Sequence, residues 1–214
     1  MRGEHAVIDR GVATTFMGFV LLNGVALLVS IPMPCRLEAY RAALIPLHAP
    51  VLFYVYALAC GVLGARLGTL SAMRGERSFA VSRLVARIAL ANVASLPLLL
   101  YARALVPGRE TGLVLCIMYG GVVALLWAVA GRWMGSGHGH RRPAVQWALK
   151  YGLLALYMFL PLLVVPIASP LGAAPRLLSE PTVGSALLAF LVPLGGLAVM
   201  TPLLWARMRG GRHV

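Results

Sequence analysis

The sequence predicts an all-α, polytopic integral membrane protein. Of its 214 residues, 60% are hydrophobic and only 12% are charged, which lies outside the range of soluble globular domains. The apolar residues form long stretches, several of which reach the roughly 20 residues that a helix needs to cross a bilayer. These stretches are apolar on every face, whereas the strands of a membrane β-barrel alternate apolar and polar residues. We therefore expect a single helical transmembrane domain over residues 1–214.

Six stretches are long and apolar enough to be transmembrane helices. The first follows Arg2 and Arg10 and leads into no convincing small-residue cleavage site, so we assign it as a helix rather than a signal peptide. The first and the fourth are the clearest. The predicted spans are 11–31, 43–65, 85–106, 111–131, 147–168 and 184–205.

The basic residues are distributed unevenly between the two membrane faces. Fourteen of the 19 Lys and Arg residues fall on one face and five on the other. Because Lys and Arg in short loops are retained on the cytoplasmic side, both termini are predicted to be cytoplasmic, in a bacterial inner membrane. The same face collects Trp127, Trp133, Trp147 and Trp205, which we expect at headgroup level. The net charge of +13 thus points to the lipid bilayer as a partner and not to nucleic acid.

The polar residues offer little catalytic chemistry. There are only six acidic residues, which argues against paired-carboxylate catalysis and proton-coupled transport. The three cysteines are widely spaced and resemble small apolar residues, and neither a P-loop nor a G-x-S-x-G or H-E-x-x-H motif occurs. We therefore expect no enzymatic activity and no intrinsic cofactor, and any ATP would have to be bound by another polypeptide.

Three histidines are candidate ligands. His138 and His140 could share a metal, but a metal site needs three or four ligands, and no Cys, Asp or Glu lies nearby in sequence. A surface turn without metal is the better interpretation. His48 is the one histidine within a predicted span, near its outer end. Both a hydrogen-bonded structural role and a transient contact with cargo remain open for it.

The longest polar segment, residues 68–83, connects the second and third spans. Thr69 or Ser71 could cap a short helix there. Its apolar and basic side chains suit either anionic lipid or a docked subunit. These side chains are Leu70, Met73, Arg74, Arg77, Phe79 and Arg83.

The predicted spans are rich in proline and glycine. Prolines kink helices and glycines allow close helix approach, as at Gly64-x-x-x-Gly68, so the bundle is expected to pack closely and to flex. Packing alone would also explain most of these residues. The candidate flexing or packing residues are Pro97, Gly120, Gly121, Pro161, Pro166, Gly195, Gly196 and Pro202.

Four short motifs between residues 60 and 205 carry a family resemblance. They are Gly68-Thr69-Leu70 after the second span, Leu96-Pro97-Leu98 in the third, Leu160-Pro161-Leu162 through Pro166 in the fifth, and Thr201-Pro202 in the sixth. With six helices and cytoplasmic termini, the chain resembles the permease subunit of bacterial ABC export systems. It is most similar to the CcmB type, the permease of the haem exporter in cytochrome c maturation. The chain departs from that family in having Leu67, not an acidic residue, before Gly68.

The resemblance implies an export permease driven by a separate ATPase, in an oligomer with other membrane subunits, with haem as cargo. It also implies a coupling loop that contacts the ATPase. That loop would comprise Gly68, Thr69, Leu70, Met73, Arg74, Glu76, Arg77 and Phe79. An alternative of a different class is a non-catalytic anchor subunit of a respiratory, photosynthetic or secretion complex, since the chain contains packing residues but no ligand set of its own.

Overall fold

The described part of the chain is entirely helical. A computed structural model describes residues 10–30, 38–73, 81–105, 110–135, 143–164, 169–179 and 182–210, and within these ranges there is no β-strand. The all-α prediction is confirmed for these ranges. The helices are α1 (Arg10–Ser30), α2 (Glu38–Met73), α3 (Val81–Ala94), α4 (Leu96–Leu105), α5 (Glu110–Gly135), α6 (Pro143–Val164), α7 (Pro170–Ser179) and α8 (Val183–Gly210).

Several helices fit a multi-pass membrane protein. In the described residues, α1, α5, α8 and the Val51–Met73 part of α2 are long and apolar enough to cross a membrane, and α3 with α4 forms a fifth, bent candidate. The predicted first, fourth and sixth spans coincide with α1, α5 and α8. The predicted fifth span overlaps α6, which is not among these candidates, so the count of six spans stays a prediction.

Helices α2 and α5 form the centre of the bundle and run parallel. Gly64 and Gly68 of α2 lie directly against Ala124 and Ala128 of α5, where an added Cβ would overlap the carbonyl oxygen of the facing alanine. Gly131 of α5 meets the backbone of α2 in the same way. Small residues bring membrane helices into backbone contact, so the Gly64-x-x-x-Gly68 motif packs helices as its sequence predicts.

The remaining helices surround this pair. Helices α1 and α4 pack on α2, α8 packs on α5, and α7 contacts both α2 and α5. The membrane-spanning windows of α2 and α5 are 67% and 56% buried, whereas those of α1 and α8 are only 22% and 17% buried. Large apolar side chains of α1 and α8 therefore point away from the protein, as expected for surfaces that face lipid or another subunit.

Helix α2 extends well beyond the predicted end of the second span at residue 65. It continues to Met73, so the first part of the predicted loop is helical. Thr69 and Ser71 donate hydrogen bonds to carbonyl oxygens of their own helix, at 2.7 Å to Ala65 and 2.9 Å to Gly68. The prediction that one of them caps a separate short helix is wrong. Close packing of Gly68 on α5 explains why the helix continues past charged Arg66.

The predicted third span is two helices that meet at a 47° bend. Ser95 lies at the junction, and its hydroxyl donates to the Asn92 carbonyl at 2.8 Å. Pro97, just after the junction, has no N–H to donate to the preceding turn, so the α-helical ladder of hydrogen bonds is interrupted there. A proline inside an apolar run has therefore divided one predicted span into α3 and α4.

Helix α7 lies where the sequence predicts only an outer loop. Pro170 begins it, in the first helical position that proline favours, and the Ser169 carbonyl accepts from the N–H of Ala173 at 2.9 Å. The Ser169 hydroxyl donates to the Met158 carbonyl of α6 at 2.8 Å. Ser169 therefore lies beside α6 at a point more than one turn before the end of that helix. Leu177 of α7 is fully buried.

Candidate functional site

Three cationic side chains gather where α2 and α5 end and α6 begins. Arg66 comes from α2, Arg132 from α5 and Lys150 from α6. We refer to Arg66, Arg132 and Lys150 as the cation cluster. The positions are set by packing, since α5 lies on α2 through its small residues, and α6 runs antiparallel to α2, with Leu154 beside Gly61.

Arg132 is 5% exposed and bridges α5 to α2. Its Nη1 donates to the Ser71 hydroxyl at 3.0 Å. Ser71 is itself buried, and its hydroxyl donates to the Gly68 carbonyl. The Ser71 hydroxyl thus accepts a hydrogen bond from the buried guanidinium of Arg132 and donates one to a carbonyl of its own helix. The first of these bonds holds the end of α2 against α5.

Lys150 is 8% exposed and bridges α6 to α2. Its Nζ donates to the Thr69 hydroxyl at 3.3 Å and lies 4.8 Å from the centre of the Tyr151 ring. Thr69 donates in turn to its own helix and lies 3.5 Å from the Gly131 carbonyl of α5. Arg66, which is exposed, lies within electrostatic range of Lys150. Two positive charges therefore stand close together beside one hydroxyl.

Lys150 has three kinds of neighbour among the described side chains. They are the Thr69 hydroxyl, the Tyr151 ring and a second cation, Arg66. Such an arrangement favours an anion, because ammonium and guanidinium groups form strong charge-assisted hydrogen bonds with phosphate or carboxylate oxygens.

A second polar group joins α2, α3 and α5 near the bend. The Tyr56 hydroxyl donates to Asn92 Oδ1 at 2.6 Å and lies 3.5 Å from the Ile117 carbonyl. An added Cβ at Gly120 would overlap the Tyr56 hydroxyl, so α5 needs glycine there. Tyr56 is the direct polar link between the central pair and the bent span.

The predicted flexing and packing residues divide into distinct environments. Gly120 and Gly121 lie against Tyr56 and Asn92, and a Cβ at Gly196 would lie 3.0 Å from Leu126. Gly195, by contrast, has open space around it, so no close helix approach occurs there among the described residues. Pro97 lies beside the bend, and Pro202 is exposed on α8. The Pro161 side chain and Pro166 fall outside the described residues.

The predicted coupling residues fall partly in α2. Gly68, Thr69, Leu70 and Met73 form its last turns, where Gly68 is packed on α5 and Met73 is 65% exposed. The rest of the predicted set lies outside the described residues. These are Arg74, Glu76, Arg77 and Phe79.

The side chains of the three candidate histidine ligands lie outside the part of the chain that the structure describes. His48 belongs to α2, but its side chain falls outside the described part, as do His138 and His140. Among the described residues, no three His, Cys, Asp or Glu side chains come together in a group suited to a metal ion. Cys60 and Cys116 are buried, and neither forms a disulfide.

The cation cluster is the feature that sequence reasoning missed. It treated Lys150 and Arg132 only as charges that orient the chain. The available signal was that Lys150, the single lysine of the chain, lies inside an apolar segment, where an ionisable residue marks a candidate functional site. Of the tryptophans predicted at headgroup level, Trp147 and Trp205 are exposed, whereas Trp127 is buried against Tyr157, with ring centres 5.7 Å apart.

Comparison of the chain with protein-family models, curated proteins and solved structures finds no match. The likeness to the haem-exporter permease therefore rests on the four sequence motifs.

Proposed function

We propose that this chain is the membrane-spanning permease subunit of an ABC-type exporter, driven by a separate ATPase and without enzymatic activity of its own. In this proposal it has six spans and both termini in the cytoplasm of a bacterial cell. The observation that carries the proposal is the continuity of α2. One helix runs from the centre of the bundle to Met73, immediately before the basic segment that resembles a coupling loop.

Force applied to residues 74–80 would act directly on α2. Because Gly64 and Gly68 bring the backbone of α2 against α5, the two helices would move together and not slide past one another. The hydrogen bond between Arg132 and Ser71 adds a second connection at the end that receives the force. The central pair would therefore act as one lever.

The bent span would convert that movement into a change of access. Tyr56 of α2 is hydrogen-bonded to Asn92 of α3, three residues before the junction at Ser95. A shift of α2 would thus pull on α3, and the interrupted helix at Pro97 is where the angle between α3 and α4 can change with the least loss of hydrogen bonding. The cargo implied by the resemblance is haem, with His48 as a candidate contact.

Co-purification tests this proposal. A tagged chain extracted from its native membrane in mild detergent should recover an ATP-binding polypeptide in a fixed ratio. Charge reversal in the double variant Arg74→Glu, Arg77→Glu should reduce that recovery by at least about tenfold, because a basic docking surface becomes acidic. Arg2→Glu places a similar change on the same predicted face and should leave recovery unchanged. A stable complex without any nucleotide-binding chain would contradict the proposal.

The alternative is an anchor subunit of a larger membrane complex. It is favoured by the long apolar faces of α1 and α8, since fewer than a quarter of the residues in their spanning windows are buried within the chain. Neighbouring subunits could cover both faces. Bound haem, chlorophyll or quinone in the absorption spectrum of the purified complex, with no ATPase present, would support the anchor and exclude the exporter.

A further inference from the structure

We propose that Lys150 and Arg66 of the cation cluster bind a phosphate group at the end of the bundle where α2 terminates. The inference concerns the geometry of α2 and α6 and does not depend on the exporter function. It applies equally to the phosphate of an anionic lipid headgroup and to a phosphate ion from solution, and the two sources are separable by experiment.

Lys150 is a charged side chain that is buried within the protein. Its side chain is 8% exposed, yet an ammonium removed from water is costly unless it is paired with an anion or fully hydrogen-bonded. An ammonium has three N–H donors, and Thr69 at 3.3 Å is the hydroxyl that receives one of them among the described residues. The face of the Tyr151 ring contributes a weaker cation–π attraction. Oxygen acceptors of a ligand would satisfy the other donors.

Arg66 provides a second positive charge near Lys150. It lies three residues before Thr69, on the same side of α2, so its exposed side chain adds a like charge near Lys150. Two cations held near each other repel, and an anion placed between them replaces this repulsion with two attractions. The planar guanidinium of arginine matches two oxygens of a phosphate, while lysine acts as a compact point charge. An exposed Arg66 beside a buried Lys150 gives the anion an open side from which to enter.

The surroundings favour a lipid as the source of the phosphate. Trp147 is 65% exposed, and its ring lies 4.5 Å from that of Tyr151, next to Lys150. Exposed tryptophans are typical of the headgroup level of a bilayer. Leu149 and Leu153 on the same helix are also exposed, at 42% and 47%, and offer an apolar surface to acyl chains. If the headgroup phosphate of a lipid binds at the cluster, the acyl chains of that lipid would therefore lie beside α6.

The test is titration of the delipidated, full-length protein in a neutral detergent with phosphatidylglycerol, followed by native mass spectrometry. We expect one tightly held lipid per chain. Lys150→Gln should weaken its binding by about tenfold or more, as expected for the loss of a charged hydrogen bond. Lys150→Arg should keep most of the affinity. Arg10→Gln removes an exposed cation on α1 and should change nothing.

The variant Arg66→Gln tests the same site if Lys150→Gln fails to fold. Because Arg66 is exposed, its replacement leaves the packed core intact and should still weaken lipid binding several-fold. A second arm repeats the titration with inorganic phosphate. If the wild-type protein binds inorganic phosphate and Lys150→Gln does not, the same site takes its phosphate from solution. Lipid and phosphate binding that is absent, or unchanged in both Lys150→Gln and Arg66→Gln, would overturn the proposal.

Discussion

The α2–α5 pair and the outer helices α1 and α8 are built from similarly apolar sequences but have opposite roles in the bundle. More than half of the residues in the spanning windows of α2 and α5 are buried, whereas fewer than a quarter of those in α1 and α8 are buried. Hydropathy does not distinguish them. The difference lies in where small residues are placed, because Gly64 and Gly68 face Ala124 and Ala128 at a spacing of four residues, on one side of each helix.

Glycines in the outer helices show the contrast directly. Gly18 and Gly24 of α1 and Gly195 of α8 have no atom within 4 Å of an added Cβ, apart from their own helix. Hydrophobicity therefore places a helix in the membrane, and complementary backbone surfaces decide which helices become central. Substitutions in the central pair should therefore destabilise the protein more than matched substitutions in the outer helices.

Gly68→Ala should produce the largest loss of stability. Its methyl group would overlap the Ala128 carbonyl, so the two backbones must separate, and we expect a loss of about 2–3 kcal/mol in the free energy of unfolding. Gly195→Ala is the matched control and should not destabilise the protein, since its Cβ meets open space. Unfolding in mixed micelles, followed by near-UV circular dichroism, measures both. Equal losses would contradict the assignment of α2–α5 as the packed centre.

Ser71→Ala should have the next largest effect. It removes the hydroxyl that accepts from Arg132, which is 5% exposed, and loss of a hydrogen bond to a buried charged group costs about 1.5–3 kcal/mol. Thr14→Ala on α1 removes a hydroxyl that is exposed and bonds only within its own helix, so it should change stability by less than about 0.5 kcal/mol. If Ser71→Ala and Thr14→Ala lose the same free energy of unfolding, Ser71 does not connect α5 to α2.

Tyr56→Phe should have a moderate effect. It removes the 2.6 Å hydrogen bond to Asn92, and bonds of this kind between membrane helices contribute about 0.6–1.7 kcal/mol. Tyr54→Phe is the control, because the Tyr54 ring packs on Phe159 and that contact is kept. Amide hydrogen exchange in α3 should increase in Tyr56→Phe and remain at the wild-type rate in Tyr54→Phe.

Leu191→Ala should have the smallest effect. Leu191 is 68% exposed on α8, so truncation leaves no cavity in the chain and should change the free energy of unfolding by less than about 0.5 kcal/mol. A loss above 2 kcal/mol in the purified single chain would show that the outer face of α8 is packed against protein.

The sequence predicted the fold class and the positions of α1, α5 and α8, because continuous apolar runs define both the membrane crossing and its length. It ended α2 too early, since composition marks the polar residues after Ala65 but not the packing of Gly68 that keeps them helical. It joined α3 to α4, because Pro97 lies within a continuous apolar run and hydropathy does not show the bend beside it. It missed α7, although Ser169-Pro170 is a helix start signal.

The candidate site was less accessible to sequence reasoning than the fold. Lys150, Thr69 and Arg132 come from three helices, and only tertiary packing brings them together. The pairing of Arg132 with Ser71 likewise depends on the parallel register of α2 and α5. Residue type marks a lysine in an apolar segment as unusual but gives no information about its neighbours.

The proposed function requires the end of α2 to face the cytoplasm. Met73→Cys, in a chain whose Cys35, Cys60 and Cys116 are replaced by alanine, places one reactive thiol at an exposed position on that end. Val183→Cys, also exposed, marks the opposite end at the start of α8. A membrane-impermeant maleimide should label Met73→Cys only in inverted vesicles and Val183→Cys only in spheroplasts. Labelling of Met73→Cys in spheroplasts would place the cation cluster outside the cell and contradict the proposed function.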